Sequence, residues 1–416
     1  MRFHEFLEDL VRRYGTEAAG ARHEIFFITQ RRSRLPAAMR ALLAGLRDAW
    51  LCLRLPQATV LPTDVVAIAS RPGPNGLAAL EPSLRALSGR GIAQALIVHP
   101  RLHQMSKQRV PSRPAGPAWR HALAALRTRF AMAGSEAFIV KCCLFRLRLW
   151  RGAWQATLSG RERGCLVLHN DFELFNVAAI EAGEGKWDSL CVQHGLPTDE
   201  FFPTRARLQL VWGETSRAAY AGRGTSPDAL RCGPARDLPQ RRAELPTTIR
   251  LVSQTHTSIY GRSLAADFVA LAAVLAQRFP GPDRFAILLH PEEVRLGHPY
   301  GAGPSAAFCR HPPHAALEPD ARPALIVGFC STALIEAACR GHLVVGMDWD
   351  APMSQAALVV GRPPLTAPDA AALGDLLQRL LADRALFAEA LSRQEEWLQR
   401  TFVADDAWLA EFDQWR

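Results

Sequence analysis

The sequence predicts an α/β protein made of two Rossmann-like domains facing a central cleft. Three observations lead there. Short apolar runs of strand length recur along the chain, and most are followed by an amphipathic or Ala/Leu-rich segment of helix length. The chain has 416 residues, 49% of them hydrophobic, enough for two ordinary cores. Between residues 236 and 248 the composition turns polar, with Pro239, Arg241-Arg242 and Pro246, and a second alternating series then begins. The expected domains are 1–238 and 249–416, with the last helix able to cross back onto the first.

In chain order, Phe3 to Tyr14 reads as an amphipathic helix with Phe6, Leu7, Leu10 and Val11 on one side. His23 to Thr29 reads as a strand, and Pro36 to Leu53 as a helix with Pro in its first turn. Val60 to Ala69 is extended and closed by the breaker cluster Pro72-Gly73-Pro74-Asn75-Gly76. A helix from Ala78 to Ser88 leads into the strand Gln94 to Val98. Residues 101–117, basic and broken by Pro111, Pro114 and Pro117, read as a surface loop. Helices then fill Trp119 to Leu158, an Arg-rich insert in which Leu144, Leu147, Trp150 and Trp154 are apolar. They read either as a surface that leans on a membrane or anionic acceptor, or as a helix pair packed inward.

Cys165 to Asp171 is a strand ending in His169-Asn170-Asp171, Phe172 to Ala182 a helix, and Ser189 to Gly195 a strand ending in Gln193-His194-Gly195. In an open parallel sheet the carboxyl ends of strands line the ligand crevice, so Asn170, Asp171 and His194 are placed to converge. Leu208 to Trp212 is a further strand. In the second half, Ile249 to Gln254 is a strand, Ser263 to Phe279 a helix, and Phe285 to Pro291 a strand ending in His290-Pro291. Ala324 to Gly341 then reads strand, tight turn, helix, with Gly341 as the stop. Val344 to Asp348 is the next strand, and helices cover Asp369 to Ala382 and Arg384 to Thr401.

Ser331 and Thr332 stand at a helix mouth, where unpaired N–H groups and the positive end of the dipole suit a phosphate. Glu336 lies one turn on, on the same face, within reach of a ribose hydroxyl. The plainer reading makes Ser331 an N-cap and Glu336 a solvated helix residue.

Charge is divided unevenly. Residues 1–164 carry 26 Lys+Arg against 10 Asp+Glu, a balance of +16, within a whole-chain charge of +9. A basic half of this kind meets nucleic acid, an anionic membrane surface or a phosphorylated acceptor. It contains no zinc-finger spacing and no aromatic RNA-binding pattern, so nucleic acid is not expected as a partner. The nine Cys form no CxxC pair and read as buried thiols. No apolar run reaches membrane-span length, and the opening residues lack a signal-peptide order. A cytoplasmic protein, peripheral to the inner membrane at most, is the expectation.

The residues Gln193-His194-Gly195, Val211-Trp212-Gly213, Gly233-Pro234-Ala235-Arg236-Asp237, His290-Pro291 and Ser331-Thr332 with Glu336 resemble a known group. It is the bacterial surface-polysaccharide transferases of GT-B architecture: CDP-glycerol glycerophosphotransferases, capsular polysialyltransferases and capsular Kdo transferases. The resemblance covers roughly residues 165–350 and leaves 1–164 unmatched. It implies a glycosyl- or polyol-phosphate transferase of capsule or lipopolysaccharide biosynthesis that takes a CMP- or CDP-activated donor. The acceptor would be a saccharide or lipid-linked molecule on the N-terminal side, and no metal or other cofactor is implied.

By the same resemblance His290, Ser331 and Thr332 hold the donor's phosphate and nucleotide, with Glu336 beside them. Charge develops on the leaving phosphate, and a helix mouth with a histidine supplies positive potential there. The acceptor hydroxyl needs a base, for which His194 and Asp171 both stand as candidates. The paired-acid-plus-Gly signature of sialyltransferases is missing, since Glu184-Gly185 has one acid. His99-Pro100, His298-Pro299 and His311-Pro312 repeat the His-Pro pair elsewhere. Asp348-Trp349-Asp350 reads as a turn-capping pair rather than a cation site. Two alternatives stay open: a UDP-sugar epimerase of the same architecture, and a noncatalytic polysaccharide-assembly protein.

Overall fold

The structure, a computed structural model, describes residues 3–30, 35–57, 61–70, 74–101, 111–131, 133–233, 244–254, 263–301, 304–310, 322–349, 354–403 and 405–415. The chain divides into two compact units, Met1–Ala235 with Val403–Arg416, and Arg236–Phe402. Each is built on one parallel six-stranded sheet. This is the α/β class with two Rossmann-like domains that the sequence pattern predicts. Residues after Phe402 belong to the first unit.

The first unit opens with α1 (Phe3–Tyr14), α2 (Arg22–Gln30) and α3 (Ala37–Leu53). Its βα series follows: β1 (Val65–Ala69), α4 (Pro74–Gly89), β2 (Ala95–Val98), α5 (Gly116–Arg127), α6 (Ser135–Leu158), β3 (Gly164–Leu168), α7 (Leu174–Gly183), β4 (Trp187–Val192), β5 (Leu208–Val211), α8 (Glu214–Ala221) and β6 (Leu230–Cys232). The strand order is β2-β1-β3-β4-β5-β6. The chain therefore reverses direction across the sheet between β1 and β3, a topological switch point.

The second unit runs β7 (Thr248–Val252), α9 (Ala265–Arg278), β8 (Phe285–Leu288), α10 (Pro291–Leu296), β9 (Cys309–Arg310), β10 (Ala324–Gly328), α11 (Thr332–Cys339), β11 (Leu343–Met347), α12 (Gln355–Gly361), β12 (Thr366–Ala367), α13 (Ala370–Ala382) and α14 (Arg384–Thr401). Its order is β12-β11-β10-β7-β8-β9, which puts the switch between β7 and β10. The closing helix α15 (Ala407–Gln414) returns to the first unit. Its Trp408, Leu409 and Phe412 pack with Val65, Val167, Leu190 and Leu210 of that sheet.

Both sheets are covered on both faces, which is why their strands read as apolar runs without alternation. In the second unit Phe268, Leu271 and Leu275 of α9 with Leu373 and Leu377 of α13 bury Ile249, Leu251 and Leu325. On the other face Leu334 and Ala337 of α11 and Leu398 of α14 meet Leu288, Ile326 and Val344.

Three expectations need correction. His23 to Thr29 is not a strand but lies within α2. Its buried residues Arg22, His23, Ile25 and Phe26 follow helical spacing, and Phe26 packs edge-on against Phe3 and Phe6 of α1. The end of the expected surface loop is buried: Pro111, Ser112 and Pro114 are inside, and the Ser112 N–H donates to Thr157 Oγ1 at 2.7 Å. Of the two readings of the helical insert 119–158, α6 meets the inward-packed one: its Leu147, Trp150 and Trp154 are fully buried. Strands β6, β9 and β12 and helices α10 and α12 were not expected; each is seven residues or fewer, too short for a periodic signal. All nine Cys are free thiols; six are buried as expected, while Cys309, Cys330 and Cys339 are half-buried.

Part of the Arg-rich character of the first unit is answered inside it. Arg13 pairs with Glu136, Arg148 with Glu17, Arg151 with Glu181 and Arg161 with Asp64. Asp48 of α3 is fully buried; Arg101 reaches its Oδ1 at 2.6 Å, and Arg146 Nε and Trp150 Nε1 reach its Oδ2 at 2.7 and 3.1 Å. Burial pushes the Asp48 carboxyl up, but the Arg146 and Arg101 guanidiniums outweigh it and hold the acid well below the usual range.

Candidate functional site

Each unit gathers polar side chains where its strands end beside the switch point. In the first, register places Ala69 at the end of β1 level with Val98, and Ile68 level with Leu168 of β3. The residues just beyond, Ser70 and His169-Asn170, therefore emerge side by side. Asn170 is buried and its amide nitrogen reaches His169 Nε2 at 2.9 Å and Glu173 Oε2 at 3.2 Å. An amide nitrogen can only donate, so Nε2 accepts and the His169 proton sits on Nδ1, 3.3 Å from the Ile68 carbonyl oxygen. Ser70 also donates to Glu173. Asn170 Oδ1 accepts from the Glu173 N–H at 3.1 Å and from Asn176 Nδ2 at 3.1 Å, tying the tip of β3 to the start of α7. Gly76 of α4 closes this pocket of atoms: a Cβ there would sit 3.1 Å from His169 Nε2.

His194 follows β4, and its neighbours hold it in place. Gln193 Oε1 accepts from the Trp212 N–H at 2.9 Å while Trp212 Nε1 donates to the Gln193 carbonyl oxygen at 2.9 Å, so the Gln-His-Gly and Val-Trp-Gly motifs clamp the ends of β4 and β5 together. The His194 ring stacks on Phe201 with 5.0 Å between centroids and 13° between planes. It meets His169 edge-on at 5.5 Å. His194 is half-buried, so an imidazole faces outward from a fixed aromatic seat.

Asp171 points elsewhere. It is buried, and its Oδ2 accepts from Thr204 Oγ1 at 2.5 Å, from the Ala206 N–H at 3.0 Å and from the Arg205 N–H. Three donors on one oxygen make an anchor for the 204–206 turn. The expected convergence of Asn170, Asp171 and His194 is thus met by His169 and Asn170 on the β3 side. His169, Glu173 and Ser70 were not singled out from sequence. The signal was present in the polar end of the β3 run, but nothing local says which of three successive side chains turns toward β4.

In the second unit β10, β7 and β8 are adjacent, with Val327 level with Leu251 and Val252 level with Leu288. Ser253, His290 and Ser331 thus follow three neighbouring strands. Gly328 at the end of β10 has its missing Cβ 3.3 Å from the Val252 carbonyl oxygen and 3.2 Å from Leu334 Cδ2, so the close approach of strand and helix requires glycine. Cys330 then adopts φ 30°, a left-handed conformation that costs a β-carbon residue energy and marks a sharply turned strand-to-helix junction. Its thiol is pushed up to about 12 by burial, so it stays protonated.

Ser331 is the N-cap of α11, its Oγ accepting from the Ala333 N–H at 3.3 Å. Ser331, Thr332, Ala333, Glu336 and Cys339 form the half-buried outer face of this helix, so Thr332 and Glu336 do share a side. Gly341, with φ 86°, ends the helix as the sequence predicts.

His290 is half-buried at the start of α10, and its N–H donates to Glu293 Oε2 at 2.8 Å. The buried Ser253 hydroxyl donates to Glu293 Oε1 at 2.9 Å and accepts from Tyr300 at 2.7 Å. The chain Tyr300, Ser253, Glu293 fastens the His290 backbone to the end of β7. The sequence signal for Glu293 was an acid three residues after a cap with Pro at the first helical position. Burial holds the Tyr300 hydroxyl protonated, well above its ordinary range.

Among the described residues no group of three or more His, Cys, Asp or Glu is placed to hold a metal ion. Asp348 pairs with Arg362 at 2.9 Å, and Asp350 lies outside the described residues, as do Pro234 to Asp237, His311 and His314.

No family model matches the chain, and no curated protein matches it. Among solved structures it is similar to the glycotransferase of kitacinnamycin, at 13% identity over 84% of this chain and 98% of that one, with a TM-score of 0.47. It is similar to a UDP-N-acetylglucosamine 2-epimerase at 12% identity, 83% and 95% coverage and a TM-score of 0.48. It is also similar to sucrose-phosphate synthase from Thermosynechococcus elongatus at 16% identity, 84% and 98% coverage and a TM-score of 0.43. Likeness at this level carries no argument about chemistry. What the chain itself presents is two Rossmann-like units, each with a polar cluster at the switch point of its sheet.

Proposed function

We propose that this protein is a glycosyl- or polyol-phosphate transferase that takes a CMP- or CDP-activated donor and acts in bacterial surface-polysaccharide synthesis. The observation that carries the reading is the β10–α11 junction. A tight turn with a left-handed Cys330 delivers Ser331 and Thr332 to a helix mouth directly beside the sheet's switch point, where the carboxyl ends of parallel strands receive nucleotides. The helix start offers N–H donors to a phosphate, and His290, two strands away, adds an imidazole. Glu336 is assigned the ribose hydroxyls.

In the first unit His194 is assigned the base that takes the acceptor hydroxyl's proton, and His169 the group that orients it. Asp171, with three donors on one oxygen, is assigned an anchoring part. The donor's leaving phosphate is stabilised by the helix mouth and His290, both pre-set before the bond breaks. No step in this scheme requires a metal ion.

Thermal melting with CMP, CDP, UDP and GDP tests the donor assignment, because a ligand that binds only the folded state raises the melting temperature. CMP or CDP should raise it most. A rise with UDP alone, with sugar interconversion in the absence of acceptor, would instead favour an epimerase. No rise with any nucleotide would leave a noncatalytic assembly protein.

A further inference from the structure

We infer that α3 is a membrane-docking helix whose apolar face enters the interface of an anionic bilayer. The inference stands apart from the donor chemistry and would hold for any activity of this chain. Helices of globular proteins bury their large apolar side chains and expose polar ones. In α3 the pattern is inverted. The buried positions are Ala41, Gly45, Asp48 and Cys52, small or charged residues. Gly45 lies against Phe145 of α6, and Asp48 is held by Arg146 and Trp150 of the same helix.

The outward positions Met39, Leu42, Leu43, Leu46, Trp50 and Leu53 are each between 37% and 59% exposed. Their spacing of three and four residues makes one continuous stripe, about 21 Å long from the helical rise. Leu35, just before the helix, is 49% exposed as well. Single exposed leucines are ordinary, but a stripe of this length is not.

Charge selects the occupant. The other exposed side chains of α3 and its C-cap are Arg47 and Arg54; the helix's one acid, Asp48, is buried and held by Arg101 and Arg146, with the half-exposed Arg47 Nε 4.0 Å away. The Arg54 guanidinium lies over the Trp50 ring at 3.8 Å, so the aromatic and the cation occupy the same level of the surface. A second copy of this face would bring Arg47 and Arg54 against their equivalents with no exposed acid on the helix to answer them. Lipid phosphates answer them directly, while the acyl boundary accepts the leucines. No described helix is long and apolar enough to cross a membrane, so α3 would lie in the interface plane. Residues 119–158, for which a membrane surface was one of two sequence readings, supply the buried support instead, through α6.

Flotation of the full-length protein with liposomes tests this. Vesicles of phosphatidylcholine with about 30% phosphatidylglycerol should capture it, pure phosphatidylcholine much less, and about 0.5 M salt should release most of it. Leu46→Ser with Trp50→Ser should weaken capture about thirtyfold or more, and Arg47→Gln with Arg54→Gln about thirtyfold on the anionic vesicles alone. Leu46, Trp50 and Arg54 are exposed and Arg47 stands 4.0 Å from Asp48, so melting temperatures are measured beside the flotation, and Arg54→Gln alone, expected to weaken capture about fivefold, tests the idea if the paired variants misfold. Failure of the parent to bind anionic vesicles overturns the inference. So does equal capture of parent and variants, or a stable dimer in sedimentation velocity that Leu46→Ser with Trp50→Ser dissolves.

Discussion

The imidazole of His194 lies flat on Phe201, 13° from parallel, and meets the His169 ring in a T-shaped pair at 5.5 Å. Two strand ends, β3 and β4, thus meet through a pair of rings rather than through the carboxylate that follows them. In the proposed scheme this half-buried imidazole takes the acceptor's proton, and its orientation is set before the reaction.

Replacing His194 by Ala should therefore lower turnover about 10²–10⁴-fold with little change in donor affinity. Asp171→Asn separates the competing assignment. It should lower the melting temperature, because one oxygen there serves three donors, and should reduce turnover only in step with the folded fraction. A stable Asp171→Asn protein with turnover as low as His194→Ala would return the base to Asp171.

Ser331→Ala should act twice. Loss of the cap on α11 should cost about 1 kcal/mol of stability, and nucleotide affinity by isothermal titration should fall. Ser331→Asn, which preserves a cap, should restore most of the stability, leaving the affinity loss visible by itself. His290→Ala should weaken nucleotide binding while sparing stability, since it is the backbone N–H of His290 that Glu293 uses. Unchanged affinity in both Ser331→Ala and His290→Ala would refute the donor site.

Asp48→Ala should destabilise the first unit by about 3–5 kcal/mol, because it strands the buried Arg146 guanidinium without its partner. Urea denaturation of the variant, read by far-ultraviolet circular dichroism, measures this. A change under about 1 kcal/mol would mean that Glu24, which also lies near Arg146, takes over the charge.

His99 predicts a pH dependence. Burial chiefly drives its pKa down, from an ordinary 6.5 to about 3. In the folded chain it stays neutral across this window, whereas the unfolded chain takes up a proton below about 6.5. The unfolded state then binds more protons, so stability is full above that pH and falls as the pH drops toward about 3. Urea midpoints at pH 7.5, 6 and 5 should decline in order, and His99→Phe should flatten the series. An unchanged slope in that variant would assign the loss to other groups.

Sequence alone determined the βα alternation, the break between two units, the β10–α11 junction with its Gly341 stop, and the position of His194 and His290 at strand ends. Those features are local: apolar run length, caps, breakers and polar tips are written within a few residues of where they act. Tertiary structure decided what local pattern leaves open. The run Ile25-Phe26-Phe27-Ile28-Thr29 has strand composition but becomes helix because Phe26 finds Phe3 and Phe6 across a helical face. Asp171 turns to the 204–206 backbone and His169 to His194, a choice made by partners more than twenty residues away. The leucines of α3 look like a core stripe in sequence. They face outward because Asp48 has its partners on α6 and Arg101, and a buried charge must go where its counter-charges are.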